Sequence, residues 1–185
     1  YKRRGDINTI KNSIKNKNIK LNIVPLLEDQ EGRISSSRVR NLLLESDLVK
    51  AKDLLKRPYS FSGKVVKGKG LGKKIGFPTA NLQIDGRKFL PGEGVYAAWT
   101  KEINSGIKFP SVMNLGPQPT INPLSPSAVE VHIIDKNINL YDLELFVEPI
   151  QMIRTQIRFS NMEELAKQIS KDKELAKMIL HEINN

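Results

Sequence analysis

The stretch Gly68-Lys69-Gly70-Leu71-Gly72-Lys73-Lys74-Ile75-Gly76-Phe77-Pro78-Thr79-Ala80-Asn81 concentrates residue types suited to holding phosphate. Glycines turn the backbone through positive φ and bring its N–H groups close to anionic oxygens, while lysines add charge. Two common phosphate loops do not fit. A Walker loop requires G-x-x-x-x-G-K-[ST], and neither Gly68 nor Gly70 begins that spacing. A dinucleotide fingerprint must open a helix, and Pro78 falls where that helix would be under way. Thr79 and Asn81, two residues apart, leave the same face of an extended backbone. A hydroxyl and an amide carbonyl are hard oxygen donors, suited to Mg²⁺ shared with nucleotide phosphates. A glycine-rich hairpin with a Pro-Thr turn and an Asn cap explains the same residues without a ligand, and both readings stand on the residues alone.

Glu130 is the second group with a chemical use. Val129, Val131 and Ile133 alternate with Glu130, His132 and Ile134, the period of a strand with one buried face. Glu130 and His132 therefore share the opposite face. A carboxylate held beside a substrate hydroxyl can take its proton as the oxygen attacks phosphorus, a contribution of about 10²–10⁴-fold in rate. Most strand glutamates are simply solvated, and the spacing does not decide between the two. His132 and His181 are the only histidines and there is no cysteine. A transition-metal site is thus not expected, His132 being at most a neighbour of the site and His181 a surface residue. Trp99 and Tyr96 read as core-strand residues.

These side chains need elements to place them. Ser35, Ser36 and Ser37 form an N-cap cluster before Val39, Leu42 and Leu43, and Asp47 can cap a second short helix ended by Arg57-Pro58. From Pro58 to about Glu148 the pattern is short strands between Gly/Pro clusters, including alternation at Leu143, Leu145 and Val147, which suggests a barrel or sandwich. A helical tail follows, with a capping box expected at Ser160-Asn161-Met162-Glu163. It carries Leu165 and Ile169, then Leu175, Met178 and Ile179 after a restart at Asp172.

The chain has 185 residues, 39% of them apolar and 27% charged, enough for one or two domains with a real core. Its net charge of +10 is spread along the chain. Such an excess suits a polyanion, but solvated lysine filler explains it as well. Aromatics are only 6% and are not interleaved with a basic stripe, which weakens a nucleic-acid reading. No apolar run reaches the roughly 18 residues of a membrane helix. Lys2, Arg3 and Arg4 lead into polar sequence rather than a signal-peptide core, so a cytoplasmic protein is expected, with no membrane partner. The first residue is Tyr1, compatible with a fragment of a longer chain.

In order, Gly76-Phe77-Pro78-Thr79-Ala80-Asn81-Leu82, Gly92-x-Gly94-Val95-Tyr96, Asn114-Leu115-Gly116 with Pro119-Thr120, and Val129-Glu130-Val131-His132-Ile133-Ile134-Asp135 resemble the successive signatures of riboflavin kinase. The likeness continues through Leu140-Tyr141, Arg154, Phe159-Ser160 and the Leu165-to-Asp172 segment. Ahead of it, Ile34-Ser35-Ser36-Ser37-Arg38-Val39-Arg40 resembles a motif of the FMN adenylyltransferase domain that precedes the kinase in bacterial bifunctional FAD synthetases, with Ser37 in place of a threonine. The resemblance implies residues 1–57 as the C-terminal part of an adenylyltransferase domain and 58–185 as the kinase domain. The implied fold is α+β and mainly β, a six-stranded antiparallel Greek-key barrel with a C-terminal helix.

The implied reaction moves the γ-phosphate of ATP to the 5′-hydroxyl of riboflavin, giving FMN and ADP, with no nucleic-acid partner. Under it, Gly68, Gly70, Gly72, Lys73, Gly76 and Pro78 wrap the nucleotide, Thr79 and Asn81 bind Mg²⁺ and phosphates, Glu130 is the base, and Arg154 lies near the flavin. FAD synthesis is the alternative if an adenylyltransferase domain precedes Tyr1; a basic barrel binding nucleic acid and an inactive flavin-binding remnant are the others. Two departures concern the flap and flavin pocket: Asp142 stands where glycine is usual, and Ser125-Pro126-Ser127 replaces a more basic segment.

Overall fold

The computed structural model describes residues 6–68, 70–116 and 129–183. Lys69, Pro119-Thr120 and Ser125-Pro126-Ser127 lie outside them. Two compact units divide at Ile34/Ser35. The first holds helix α1 (Ile7–Ile14), capped by the Asp6 carboxylate accepting from Thr9 N–H, and a hairpin of β1 (Glu28–Asp29) and β2 (Gly32–Arg33).

The second unit begins with α2 (Ser36–Leu44) and α3 (Leu48–Leu55). Their caps are the expected ones: Ser35 Oγ accepts from Arg38 N–H and the Asp47 carboxylate from Lys50 N–H. Leu43, Leu48 and Ala51 bury themselves in the same core as the barrel interior. These two helices therefore pack with the kinase-like segment, ahead of the Arg57/Pro58 boundary expected from sequence. Gly92 permits the contact. A Cβ there would lie 2.6 Å from the Leu44 carbonyl oxygen.

Strands β3 (Phe61–Val66), β4 (Ala80–Gln83), β5 (Gly94–Glu102), β6 (Lys108–Leu115), β7 (Val129–Ile133) and β8 (Glu144–Arg154) close into a barrel in the order β3-β4-β7-β6-β5-β8. Every pairing is antiparallel. The meander β5-β6-β7 is flanked by β4 beside β7 and by β8 beside β5, which is the Greek-key connection. Alternation decides the two faces. Phe61, Leu82, Tyr96, Met113, Val129, Val131, Leu145 and Val147 fill the barrel, each at most 1% exposed.

The outer wall of β5 and β6 is also buried, because α5 (Met162–Glu182) covers it. Val95, Ala97 and Val112 pack against Ala176, Ile179 and Leu180. Burial on both faces explains why Gly94–Trp99 reads as a continuous apolar run rather than an alternating one.

The tail departs from expectation in two ways. Its N-cap is Asn161, whose Oδ1 accepts from Glu164 N–H, with the Glu164 carboxylate returning to Ser160 N–H. The reciprocal cap is thus one residue later than expected. Nor does the helix restart at Asp172. It runs unbroken and buries Asp172, Ala176, Ile179 and Leu180 at helical spacing, while Leu175 and Met178 face solvent. Asp172 survives inside because its carboxylate is paired, as described below.

Asp142 has φ +62°, the left-handed conformation that favours glycine. Aspartate is among the residues that tolerate it, and here its carboxylate lies 3.0 Å from Lys64 Nζ. The left-handed backbone that glycine would adopt at this position is thus held by aspartate.

Candidate functional site

The barrel register lines up one row of residues on the outer wall. Asn81 pairs with Glu130 across β4 and β7, Glu130 with Asn114 across β7 and β6, Asn114 with Val95, and Val95 with Arg154 on β8. Because Ala80, Val129, Val131, Met113 and Tyr96 point inward, the row points outward, toward α5. All five members line one cavity of about 300 Å³ between the wall and the C-terminal segment. Its remaining surface is largely apolar, from Ile75, Phe77, Val112, Ile157, Phe159 and Ile169. Thr79, two residues before Asn81, opens into it as well.

A second cavity, of about 440 Å³, adjoins the first at Thr79 and has a different character. Lys67, Lys73 and Lys136 reach it, with Gly68, Pro78, Asn139 and Tyr141. The first cavity presents apolar surface with Glu130 and the paired Arg154–Asp172, and the second is reached by lysines, Thr79 standing between.

The segment joining β3 to β4 is tightly folded. It contains one helical turn, α4 (Leu71–Lys74), which neither reading of the sequence included. Ile75 and Phe77 N–H groups both return to the Gly72 carbonyl, and Gly76 turns the chain at φ +85°. A Cβ on Gly72 would lie 2.3 Å from Phe77 O, and one on Gly68 would lie 2.1 Å from Asn81 Nδ2. Gly68 therefore sits directly against the Asn81 amide, and its lack of a side chain is what allows that amide its position.

His132 ties the same segment to β7. Its Nδ1 lies 2.8 Å from the Pro78 carbonyl oxygen, which can only accept, so Nδ1 carries the proton. The ring also meets Phe77 edge-on at 5.6 Å. His132 thus anchors Phe77-Pro78, the two residues that deliver Thr79, a closer involvement than its sequence position suggested.

Arg154 is placed on the cavity wall, but its guanidinium is largely committed. Nε lies 3.0 Å from both Asp172 carboxylate oxygens, Nη2 2.8 Å from Oδ2, and Nη1 donates to the Thr155 carbonyl at 3.0 Å. The guanidinium carbon stands 5.8 Å from the centre of the Phe159 ring. Asp172, 3% exposed, also accepts from Gln168 Nε2 at 2.8 Å. This group locks α5 to the end of β8, so Arg154 shapes the pocket as much as it faces it.

Of the residues singled out from sequence, Gly70, Gly72, Thr79, Asn81, Glu130 and Arg154 meet at the first cavity; Gly68, Lys73, Pro78 and Thr79 meet at the second. Gly76 lines neither and acts through its turn. Gln156, Lys67 and Lys136 were not singled out, and Asn114 was named only within a family signature, without a site role. Asn114 had a signal, since counting by twos along β6 puts it outward with Val112. Gln156, in irregular chain after β8, had none.

Among the described residues no group of three or more His, Cys, Asp or Glu side chains is arranged to hold a metal. Thr79 and Asn81 offer neutral oxygens only. That donor set fits Mg²⁺ bound chiefly through nucleotide phosphates, and does not fit a resident metal held by the protein alone.

Residues 55–180 match the riboflavin kinase (flavokinase) family model. A bifunctional riboflavin kinase/FMN adenylyltransferase of Haemophilus influenzae is 43% identical over 145 residues, 78% of this chain and 46% of that protein. A protein of the same description from Buchnera aphidicola subsp. Schizaphis graminum is 37% identical over 179 residues, 95% of this chain and 56% of that protein. The chain spans about half the length of these curated relatives.

A Streptococcus pneumoniae crystal structure described as a macrolide-efflux protein superposes with a TM-score of 0.77 and 30% identity, over 92% of this chain and 54% of that one. Efflux is said of that protein alone; no helix among the described residues is long and apolar enough to cross a membrane. With two thirds of its length matched by the family model, and with the six-stranded antiparallel barrel on which the matched motifs converge, this chain belongs to the riboflavin kinase family.

Proposed function

We propose that this chain phosphorylates riboflavin at its 5′-hydroxyl with the γ-phosphate of ATP, in the two adjoining cavities. The observation that carries this reading is Thr79 opening onto both, with Glu130 on the apolar side and lysines on the other. A planar, weakly polar ring system matches the Ile75, Phe77, Val112 and Phe159 surface, and a polyphosphate matches Lys67, Lys73 and Lys136. The ribityl hydroxyl would then meet the terminal phosphate beside Thr79, Asn81 and Glu130.

In the proposed step the 5′-oxygen bonds to the γ-phosphorus as its bond to the β,γ-bridging oxygen breaks. The hydroxyl proton passes to a Glu130 carboxylate oxygen, and ADP leaves. Positioning and charge neutralisation supply most of the acceleration in such transfers. Mg²⁺, held through the phosphates with Thr79 Oγ1 and Asn81 Oδ1, would offset the charge on the transferring group. The Gly68–Gly76 segment wraps the phosphates, and Arg154, held by Asp172, forms part of the flavin wall.

Residues 1–57 belong, on the same proposal, to the C-terminal part of an FMN adenylyltransferase module, and the setting is cytoplasmic. The relatives' descriptions and the Ile34–Arg40 motif support the module assignment. FAD formation would require that module's remaining residues. Incubation with riboflavin, ATP and Mg²⁺, with flavins resolved by chromatography, tests the reading: FMN without FAD is expected, and a folded, flavin-binding sample that yields no FMN would reject it.

A further inference from the structure

Gln156 carries an amide whose polarity the surrounding chain fixes. Its Nε2 lies 2.8 Å from the Leu115 carbonyl oxygen, which can only accept, so that end of the amide is the NH₂. The same nitrogen lies 2.8 Å from Asn114 Oδ1 and donates to it. An amide nitrogen has two hydrogens, and both are thereby used. The free end of Gln156 is Oε1, which can only accept. Among the described residues nothing donates to it. Gln156 lines the same cavity as Glu130.

Most other polar groups of that cavity are already engaged. His132 Nδ1 binds Pro78, Arg154 and Asp172 hold each other, and Thr79, Asn81 and Glu130 stand at the proposed transfer end. The rest of the lining is largely apolar, and Gln156 is exposed, which sets it at the rim. In such pockets a few placed polar groups fix the orientation of the ligand. The ring system of riboflavin is itself two-ended. One edge is a dimethylbenzene without polar atoms; the other is an imide, one N–H between two carbonyls. An apolar interior with a fixed acceptor at its rim suits the dimethyl edge inward and the imide edge outward, where its carbonyls keep their water.

We infer that Gln156, held by Leu115 and Asn114, is a specificity-determining residue for the flavin ring, its Oε1 accepting the hydrogen bond of the imide N–H. The inference rests on riboflavin being the substrate and adds which edge of the ring is read. A site built around an acceptor discriminates against a ligand without the matching donor, because the acceptor then loses its partner.

The test is fluorescence titration of the full chain with riboflavin and with riboflavin methylated at the imide nitrogen. Wild type is expected to bind riboflavin about fivefold more tightly than the methylated flavin, the measure of one neutral hydrogen bond. Gln156→Leu, an exchange of similar size at an exposed position, is expected to keep its fold and to bind the two flavins alike. Equal binding of both flavins by wild type would overturn the inference, whatever the variant does. So would a preference that persists in Gln156→Leu, since the methyl group would then be excluded by its bulk. The titration needs no turnover. A chain that shows the expected preference but forms no FMN loses the kinase reading and keeps this one, and a chain that forms FMN without the preference does the reverse.

Discussion

Asn81 and Glu130 are direct cross-strand partners on β4 and β7, and both face the cavity between the barrel wall and α5. Forty-nine positions apart in sequence, they are brought together by the Greek-key return that sets β7 beside β4. A proposed metal-and-phosphate ligand and a proposed base thus share one rung of a closed sheet. Sites carried on strands are held more precisely than sites on loops.

The first consequence concerns Glu130. Glu130→Gln keeps the size of the side chain and removes its ability to take a proton. Turnover is expected to fall about 10²–10⁴-fold, with riboflavin and nucleotide affinity little changed. Steady-state FMN formation alongside fluorescence titration of flavin checks this. A loss confined to affinity would assign Glu130 to binding instead.

Asn81 can be displaced without being replaced. Gly68→Ala would put a methyl 2.1 Å from Asn81 Nδ2, so the amide must shift or rotate. The expected outcome is a raised Mg-ATP requirement with the fold intact, resembling Thr79→Ala and Asn81→Ala in kind. Measured Mg²⁺ dependence of turnover is the check; normal dependence in all three variants would reject the ligand assignment.

Which parts of this site could be read from residues alone follows from the range of the forces involved. Alternation at Val129–Ile134 puts Glu130 and His132 on the face opposite the barrel interior, and the structure agrees because a strand has only two faces, although Phe77-Pro78 buries His132 there. The caps at Ser35 and Asp47 are equally local. Asp172 misleads for the opposite reason. An aspartate in helical sequence looks like a start signal, and only Arg154, 18 residues earlier on a different element, makes it a buried helix residue. The commitment of the Arg154 guanidinium is hidden in the same way. The four-residue helix α4 depends on Gly72 accepting from Ile75 and Phe77 at once, a tertiary packing of the loop that spacing does not announce.

The Arg154–Asp172 pair makes a stability prediction distinct from activity. The side chains are 16% and 3% exposed, so removing one partner leaves the other charge buried. Asp172→Ala is expected to destabilise by about 3 kcal/mol, read as a lower urea midpoint. The double variant Arg154→Met/Asp172→Leu should recover much of that, since two apolar groups leave no charge unpaired. Additive losses in the double-mutant cycle would show that the pair is not coupled and that α5 is held by Ala176, Ile179 and Leu180 alone.

Alkaline pH should weaken the junction between the helices and the barrel. Burial pushes the Tyr59 phenol up to about 12, opposed in part by the nearby Arg57 charge. Its hydroxyl donates to the Phe89 carbonyl, and Lys88 Nζ stands 5.5 Å from the ring centre. In the unfolded chain the group titrates near its ordinary value of 10.0. Below that pH both states hold the proton and the contribution of Tyr59 is fully present. Between about 10 and 12 only the folded state keeps it, so folding takes up a proton and stability falls as pH rises through the folded value. The half-buried ring keeps the effect modest. Comparing urea midpoints at pH 8 and pH 11 checks it: wild type should lose more stability over that interval than Tyr59→Phe, which has no proton to lose. An equal loss in both proteins would place the alkaline sensitivity elsewhere, in Lys177, raised by its hydrogen bond to Asp135, or in Tyr96, whose burial also raises its phenol.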